Sequence, residues 1–142
     1  MNHLESTRTV VGTTVTSSAG TATLTIDTLG YAYASVDVVV AQSAVAGHTA
    51  SSILNVLTLS QGDTNTAGAS VYTVAVPAAS VAVTSQPSVV RFDVDLRGKG
   101  RYLKVDATPA QSLATTIVGR LGKGEVAPES ASAKGVLAKY SG

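Results

Sequence analysis

The sequence predicts an all-β protein: about eight antiparallel strands in a jelly-roll-like sandwich, with extended N- and C-terminal arms. Three observations predict it. Apolar and polar residues alternate with period two through most of the chain. The strand segments are rich in Val and Thr, whose branched Cβ suits a pleated sheet. No stretch carries a convincing amphipathic helical pattern.

Residues 8–16 open the set, with Gly12 a poor strand residue inside it. In Thr21-Ala22-Thr23-Leu24-Thr25-Ile26-Asp27 the even positions are apolar and the odd ones polar, which is a strand with one buried face. Leu29-Gly30 is a turn. Ala32, Ala34, Val36, Val38 and Val40 then form the apolar face of the next strand, opposite Tyr31, Tyr33, Ser35 and Asp37. Residues 53–61 are apolar on both faces near their start, as in a central strand. Residues 69–76 and 80–84 are weaker strands, with Pro77 and Pro87 placed at edges or ends. Residues 88–96, 102–107 and 113–121 complete the body. Residues 41–52 and 62–68 are the long loops. The expected organisation is an N-terminal arm over 1–7, a sandwich over 8–121 and a Gly-, Ser- and Pro-containing arm over 122–142, with one helical turn at Pro128-Glu129-Ser130.

The totals narrow the function. The 142 residues suit one domain with tails. There is no Trp, one Phe and five Tyr, so Val, Leu, Ile and Ala must fill the core. Small side chains bury less area per ordered residue, which predicts stabilisation by association. The formal net charge is +1 and 13% of residues are charged, so there is no basic field to hold a nucleic acid. Mean hydropathy is +0.27, yet no apolar run approaches the length of a membrane span. Such a surface suits burial by protein partners. The absence of Cys excludes disulfides and thiolate metal sites. Met1-Asn2-His3-Leu4-Glu5 lacks the basic and apolar regions of a secretory signal, so a cytosolic site of synthesis is the simplest expectation.

Charges concentrate in Arg91 to Val105, around Gly98-Lys99-Gly100. A phosphate loop would need a helix after the glycines, and here a strand pattern follows without Gly-Lys-Ser/Thr. The segment therefore reads as a β-hairpin. Val90, Phe92, Val94 and Leu96 share one face, and Arg91, Asp93, Asp95 and Arg97 the other. Pairing like faces across a two- or four-residue loop places Leu96 beside Leu103 and Val94 beside Val105. Asp95 then faces Lys104, Arg97 faces Tyr102, and Asp93 faces Asp106 with Arg91 one step along. The expected result is one structural charge face of Arg91, Asp93, Asp95, Arg97, Tyr102, Lys104 and Asp106. Gly122-Lys123-Gly124 reads as a flexible exit into the tail.

For each candidate catalytic group the sequence also offers a plainer role. His3 and His48 fall in an arm and a loop, and read as exposed. Asp93 and Asp106 could form a carboxylate pair with one raised pKa, but Arg91 and Lys104 lie close enough to neutralise them. Gly62-Asp63-Thr64-Asn65 has two side chains at calcium-loop spacing but lacks the later acids and closing Glu, and reads as an Asx-type turn. There is no Gly-x-Ser-x-Gly. The expectation is a protein that is not an enzyme and uses no cofactor or metal.

Two segments, RFDVDLRGKGRYLKVDATPA and IVGRLGKGEVAPESASAKGV, together with LTLSQGDTNTAGAS, resemble a group of small tailed-bacteriophage virion proteins over residues 54–136. The group carries Arg-Phe-Asp-Ile/Val-Asp-Leu, then Arg-Tyr-Leu-Lys and Thr-Pro, then an alternating strand and a Pro-x-Ser-Ala tail. The resemblance implies a capsid decoration (cement) protein of jelly-roll type, trimeric at three-fold or quasi-three-fold axes of the expanded shell and clamping neighbouring major capsid subunits. It implies location on the capsid exterior after assembly in the host cytoplasm, and it supplies no catalytic residues. The partners expected are the chain itself and the major capsid protein, with no nucleic acid and no membrane. The arms would order on binding, with Glu125, Pro128, Glu129, Lys134 and Tyr140 as candidate contacts in the C-terminal one. Two alternatives stand beside this. One is another phage structural subunit of tail, connector or head fibre. The other is a carbohydrate-binding sandwich using Tyr31, Tyr33 or Tyr72, which the lack of Trp disfavours.

Overall fold

A computed structural model describes residues 7–42, 54–65, 70–73, 87–124 and 135. Within them lie eight strands: β1 (Arg8–Val15), β2 (Ala22–Asp27), β3 (Tyr33–Val40), β4 (Leu54–Gly62), β5 (Ser70–Thr73), β6 (Ser88–Asp95), β7 (Tyr102–Pro109) and β8 (Thr115–Gly122). They form two four-stranded antiparallel sheets, β1-β8-β3-β6 and β2-β7-β4-β5. The expected all-β sandwich is therefore the fold. The expected strands at 80–84, most of the 41–52 loop and the turn at Pro128 lie outside the described residues.

The topology follows one rule. β4 pairs with β5, β3 with β6, β2 with β7 and β1 with β8. The chain is thus a long antiparallel ribbon that doubles back between β4 and β5. Rolling the ribbon brings β3 beside β8 and β4 beside β7, which completes both sheets. This is the jelly-roll wrap. Its consequence is that consecutive strands change sheet at every step except β4 to β5.

The period-two pattern reports the buried face correctly. Ala22, Leu24 and Ile26 of β2, and Ala34, Val36, Val38 and Val40 of β3, are buried. So are Leu103, Val105 and Ala107 of β7, and Ile117 and Leu121 of β8. Each fully buried Val, Leu or Ile contributes about 1.5–3 kcal/mol of transfer free energy. The core is aliphatic, and Tyr31 and Phe92 pack against it only partly buried. As expected, β4 is central, between β7 and β5. A register shift between Leu54 and Val56 lets both Leu54 and Leu57 point inward.

One side of the sandwich is closed by β1 lying against β2. The Thr13 hydroxyl accepts from the Thr23 amide at 2.9 Å and donates to the Thr23 carbonyl at 3.3 Å. Gly12 permits this approach, because a Cβ there would stand 2.5 Å from the Thr23 carbonyl oxygen. The β1–β8 register breaks between Val11 and Thr14, at the same place. The residue that made β1 look weak is the one that lets it turn the corner.

The hairpin expected over residues 91–105 is overturned. β6 belongs to the first sheet and pairs with β3, and β7 belongs to the second, between β2 and β4. The segment between them is an arch that crosses from one sheet to the other. At its start the Leu96 amide donates to the Ala32 carbonyl at 2.9 Å, still within the first sheet's edge. At its end the Arg101 carbonyl accepts from the Thr28 amide at 2.9 Å, beside β2. Between them Gly98 turns the chain with φ +75°, and the Gly100 amide donates to Gln61 Oε1 at 2.8 Å. Leu96 does not lie beside Leu103 in a ladder, nor Val94 beside Val105. These faces oppose one another across the core, which produces the same alternation as a hairpin would.

Candidate functional site

The charges follow the strands onto two opposite outer faces. On the first sheet, register places Val11, Val118, Asp37 and Arg91 in one row, and Thr9, Arg120, Ser35 and Asp93 in the next. Arg91 grips Asp37 with two bonds, Nε to Oδ1 at 2.6 Å and Nη2 to Oδ2 at 2.9 Å. Asp93 accepts from the Ser35 hydroxyl at 2.7 Å. Arg97, in the arch, binds Asp95 through Nε at 3.0 Å and Nη2 at 2.5 Å. On the second sheet, Lys104 pairs with Asp106 at 3.1 Å, and Asp106 also accepts from Thr23 at 2.6 Å. Arg101 grips Asp27 at 2.9 and 2.7 Å.

The expected single charge face is therefore two faces. Arg91, Asp93, Asp95 and Arg97 belong to the first sheet's side, and Tyr102, Lys104 and Asp106 to the second's. The pairs Asp95–Lys104, Arg97–Tyr102 and Asp93–Asp106 do not form, because the core separates the partners. No carboxylate dyad exists at Asp93 and Asp106. Glu125, Pro128, Glu129, Lys134 and Tyr140, like His3 and His48, lie outside the described residues.

Tyr33 is the focus of the first sheet's charged end. It is 36% exposed. The Arg97 guanidinium lies 5.8 Å and the Lys123 ammonium 5.0 Å from its ring centroid. Lys123 reaches this position from a left-handed backbone, φ 53°, immediately after β8. A groove of about 410 Å³ beside the ring is lined by Thr7, Ser35, Asp93, Asp95 and Arg120 among others. Tyr31 does not share this face, since the turn at Thr28–Tyr31 directs it against the core. Of Tyr72 only the backbone pairing with Leu59 is described.

The electrostatics favour fixed ion pairs. The Arg97 guanidinium bonded to Asp95 lowers that carboxyl from 3.8 to about 2. Bonding to Arg91 holds Asp37 below the ordinary carboxylate value, and bonding to Arg101 does the same for Asp27. A carboxylate held this way stays ionised at neutral pH with its lone pairs engaged, which suits anchoring better than proton transfer. Among the described residues no three His, Asp or Glu side chains converge. Gly62 ends β4, and residues 63–65 turn away from it with Asp63 exposed.

Sequence reasoning missed Asp37, Asp27, Arg101 and Lys123 as partners. A signal was present for the first: β3 and β6 each carry charge at the centre of the outward face, Asp37 in one and Arg91 in the other. Gly135 was also unanticipated. It has φ 73°, and a Cβ there would collide with the Thr9 backbone, so this point of the C-terminal arm lies directly on β1.

No protein-family model matches the chain, and no curated protein matches it.

Proposed function

We propose that the protein is a structural virion component, a capsid decoration protein that binds the outside of a phage shell as a trimer and clamps neighbouring major capsid subunits. The observation that carries this reading is the first sheet's outer face. Val11 and Val89 are 60% and 57% exposed there, beside the ion pairs Arg91–Asp37 and Arg97–Asp95. Exposed apolar side chains on a face whose charges are partly paired favour packing against protein. The jelly-roll wrap and the resemblance over residues 54–136 support the same reading. Among the described residues Asp27, Asp37, Asp95 and Asp106 each sit in an ion pair.

Two experiments test it. Purified protein added to expanded shells lacking it should co-sediment and saturate at a fixed copy number, and shells so decorated should resist heat or low salt better. Removing residues 125–142 should weaken that binding while leaving the body folded. Full-length protein that stays in the supernatant at every concentration refutes the reading.

A further inference from the structure

Two of the four sheet edges, β1 and β2, close against each other. β1 carries the register break and runs against β2. β2 is the other side of that seam. β5 is described over Ser70–Thr73. β6 differs: it is eight residues long, pairs with β3 in unbroken register from Ser88 to Asp95, and has no second neighbour among the described residues. It contains no Pro and no inward-pointing charge, the usual devices that keep an edge from pairing. Its inward residues Val90, Phe92 and Val94 are only half-buried. An unblunted edge flanked by half-covered apolar side chains is built to receive a strand.

The sequence of β6 indicates which strand. Val90-Arg91-Phe92-Asp93-Val94 is symmetric about Phe92 in apolar character and antisymmetric in charge. In an antiparallel pair centred on Phe92, two copies place Phe92 opposite Phe92, Val90 opposite Val94, and Arg91 opposite Asp93 twice over. A shift by one residue would set inward apolar side chains against outward charges, and a shift by two would set Asp93 against Asp93 or Arg91 against Arg91, so this register is the one the charges favour. Among the described residues the Asp93 carboxylate accepts from the Ser35 hydroxyl and forms no ion pair with an Arg or Lys. Arg91, already on Asp37, has donors to spare for a second carboxylate.

We infer that β6 is a self-association edge, where a second copy of this chain pairs across a two-fold axis to make one continuous eight-stranded sheet. The contact is isologous. It adds to the three-fold association proposed above and does not depend on it.

The test uses the full chain and its lack of cysteine. Native mass is measured by light scattering over a concentration series for the wild type and for Asp93→Arg, which sets Arg against Arg at both charge pairs. An even number of copies in the wild type, halved by the substitution with the circular dichroism spectrum unchanged, supports the inference. A wild type that is monomeric or purely trimeric throughout overturns it, and a pure trimer would leave the capsid reading intact. Should Asp93→Arg misfold, a milder pair decides. Chains carrying Arg91→Cys are mixed with chains carrying Asp93→Cys under mild oxidation. More crosslinked dimer in the mixture than in either sample alone supports the register; equal yields in all three overturn it.

Discussion

Gly100→Ala is the substitution that most directly interrogates the arch. A Cβ at Gly100 would stand 2.6 Å from both the carbonyl carbon and the carbonyl oxygen of Gly62, and 3.0 Å from its Cα. Ordinary contact begins near 3.4 Å. The obstacle is the backbone of a central strand, which cannot rotate aside as a side chain can. Either β4 or the arch must move by several tenths of an ångström, an overpacking cost of about 1–3 kcal/mol. The same shift pulls the Gly100 amide from Gln61 Oε1, now 2.8 Å away, for about 1 kcal/mol more. The sum, roughly 2–4 kcal/mol, corresponds to a fall in Tm of about 8–16 °C at roughly 4 °C per kcal/mol for a domain of this size. Gly98→Ala is the comparison. It has φ +75° and nothing within 4 Å of its Cβ position, so it costs only the left-handed backbone penalty of about 1–2 kcal/mol. Gly98→Asn should recover part of that, since Asn tolerates the conformation, whereas no side chain rescues position 100. Urea melts and thermal scans followed by circular dichroism measure all three. If Gly100→Ala is as stable as the wild type, or milder than Gly98→Ala, the close approach of arch and β4 is wrong.

Other outcomes follow from the same geometry. A double-mutant cycle on Asp37→Ala and Arg91→Ala in urea should show favourable coupling, and one on Asp95→Ala and Lys104→Ala should show none, because the second pair sits on opposite sheets. Asp27, Asp37 and Asp95 have carboxyls lowered in the fold, so their contribution is complete above the unfolded value of about 3.9. It is lost as pH falls through the folded values, about 2 for Asp95. Stability should therefore hold down to about pH 4 and drop between there and pH 2, and carbon NMR of the Asp95 carboxyl should show its midpoint near 2. Gly12→Ala should destabilise more than Gly119→Ala. The first meets the Thr23 carbonyl at 2.5 Å, while the second meets only the side-chain ends of Ile26, Val10 and Leu24 at 2.8–3.1 Å, which can yield; chemical denaturation of the two variants ranks them.

Much of the fold was legible in the residues. The strands over 21–27, 88–96 and 102–107 and their buried faces could be read because a side chain in a strand points to one face or the other, and only the inward face must be apolar. The aliphatic core followed from the near absence of large aromatics. Strand partnership was not legible. Burial of Phe92 and Val94 on one side and Leu103 and Val105 on the other is required equally by a hairpin within one sheet and by an arch between two. The alternation records that a face is covered and carries no record of what covers it. Which strand lies beside which is decided by the wrap of the whole ribbon, through contacts such as Asp37 with Arg91, separated by 54 residues. Charge placement inherits that limit: the sequence by itself put Arg91, Asp93, Lys104 and Asp106 on outward faces, and only the tertiary structure put them on opposite sides of the protein, because β6 and β7 enter different sheets.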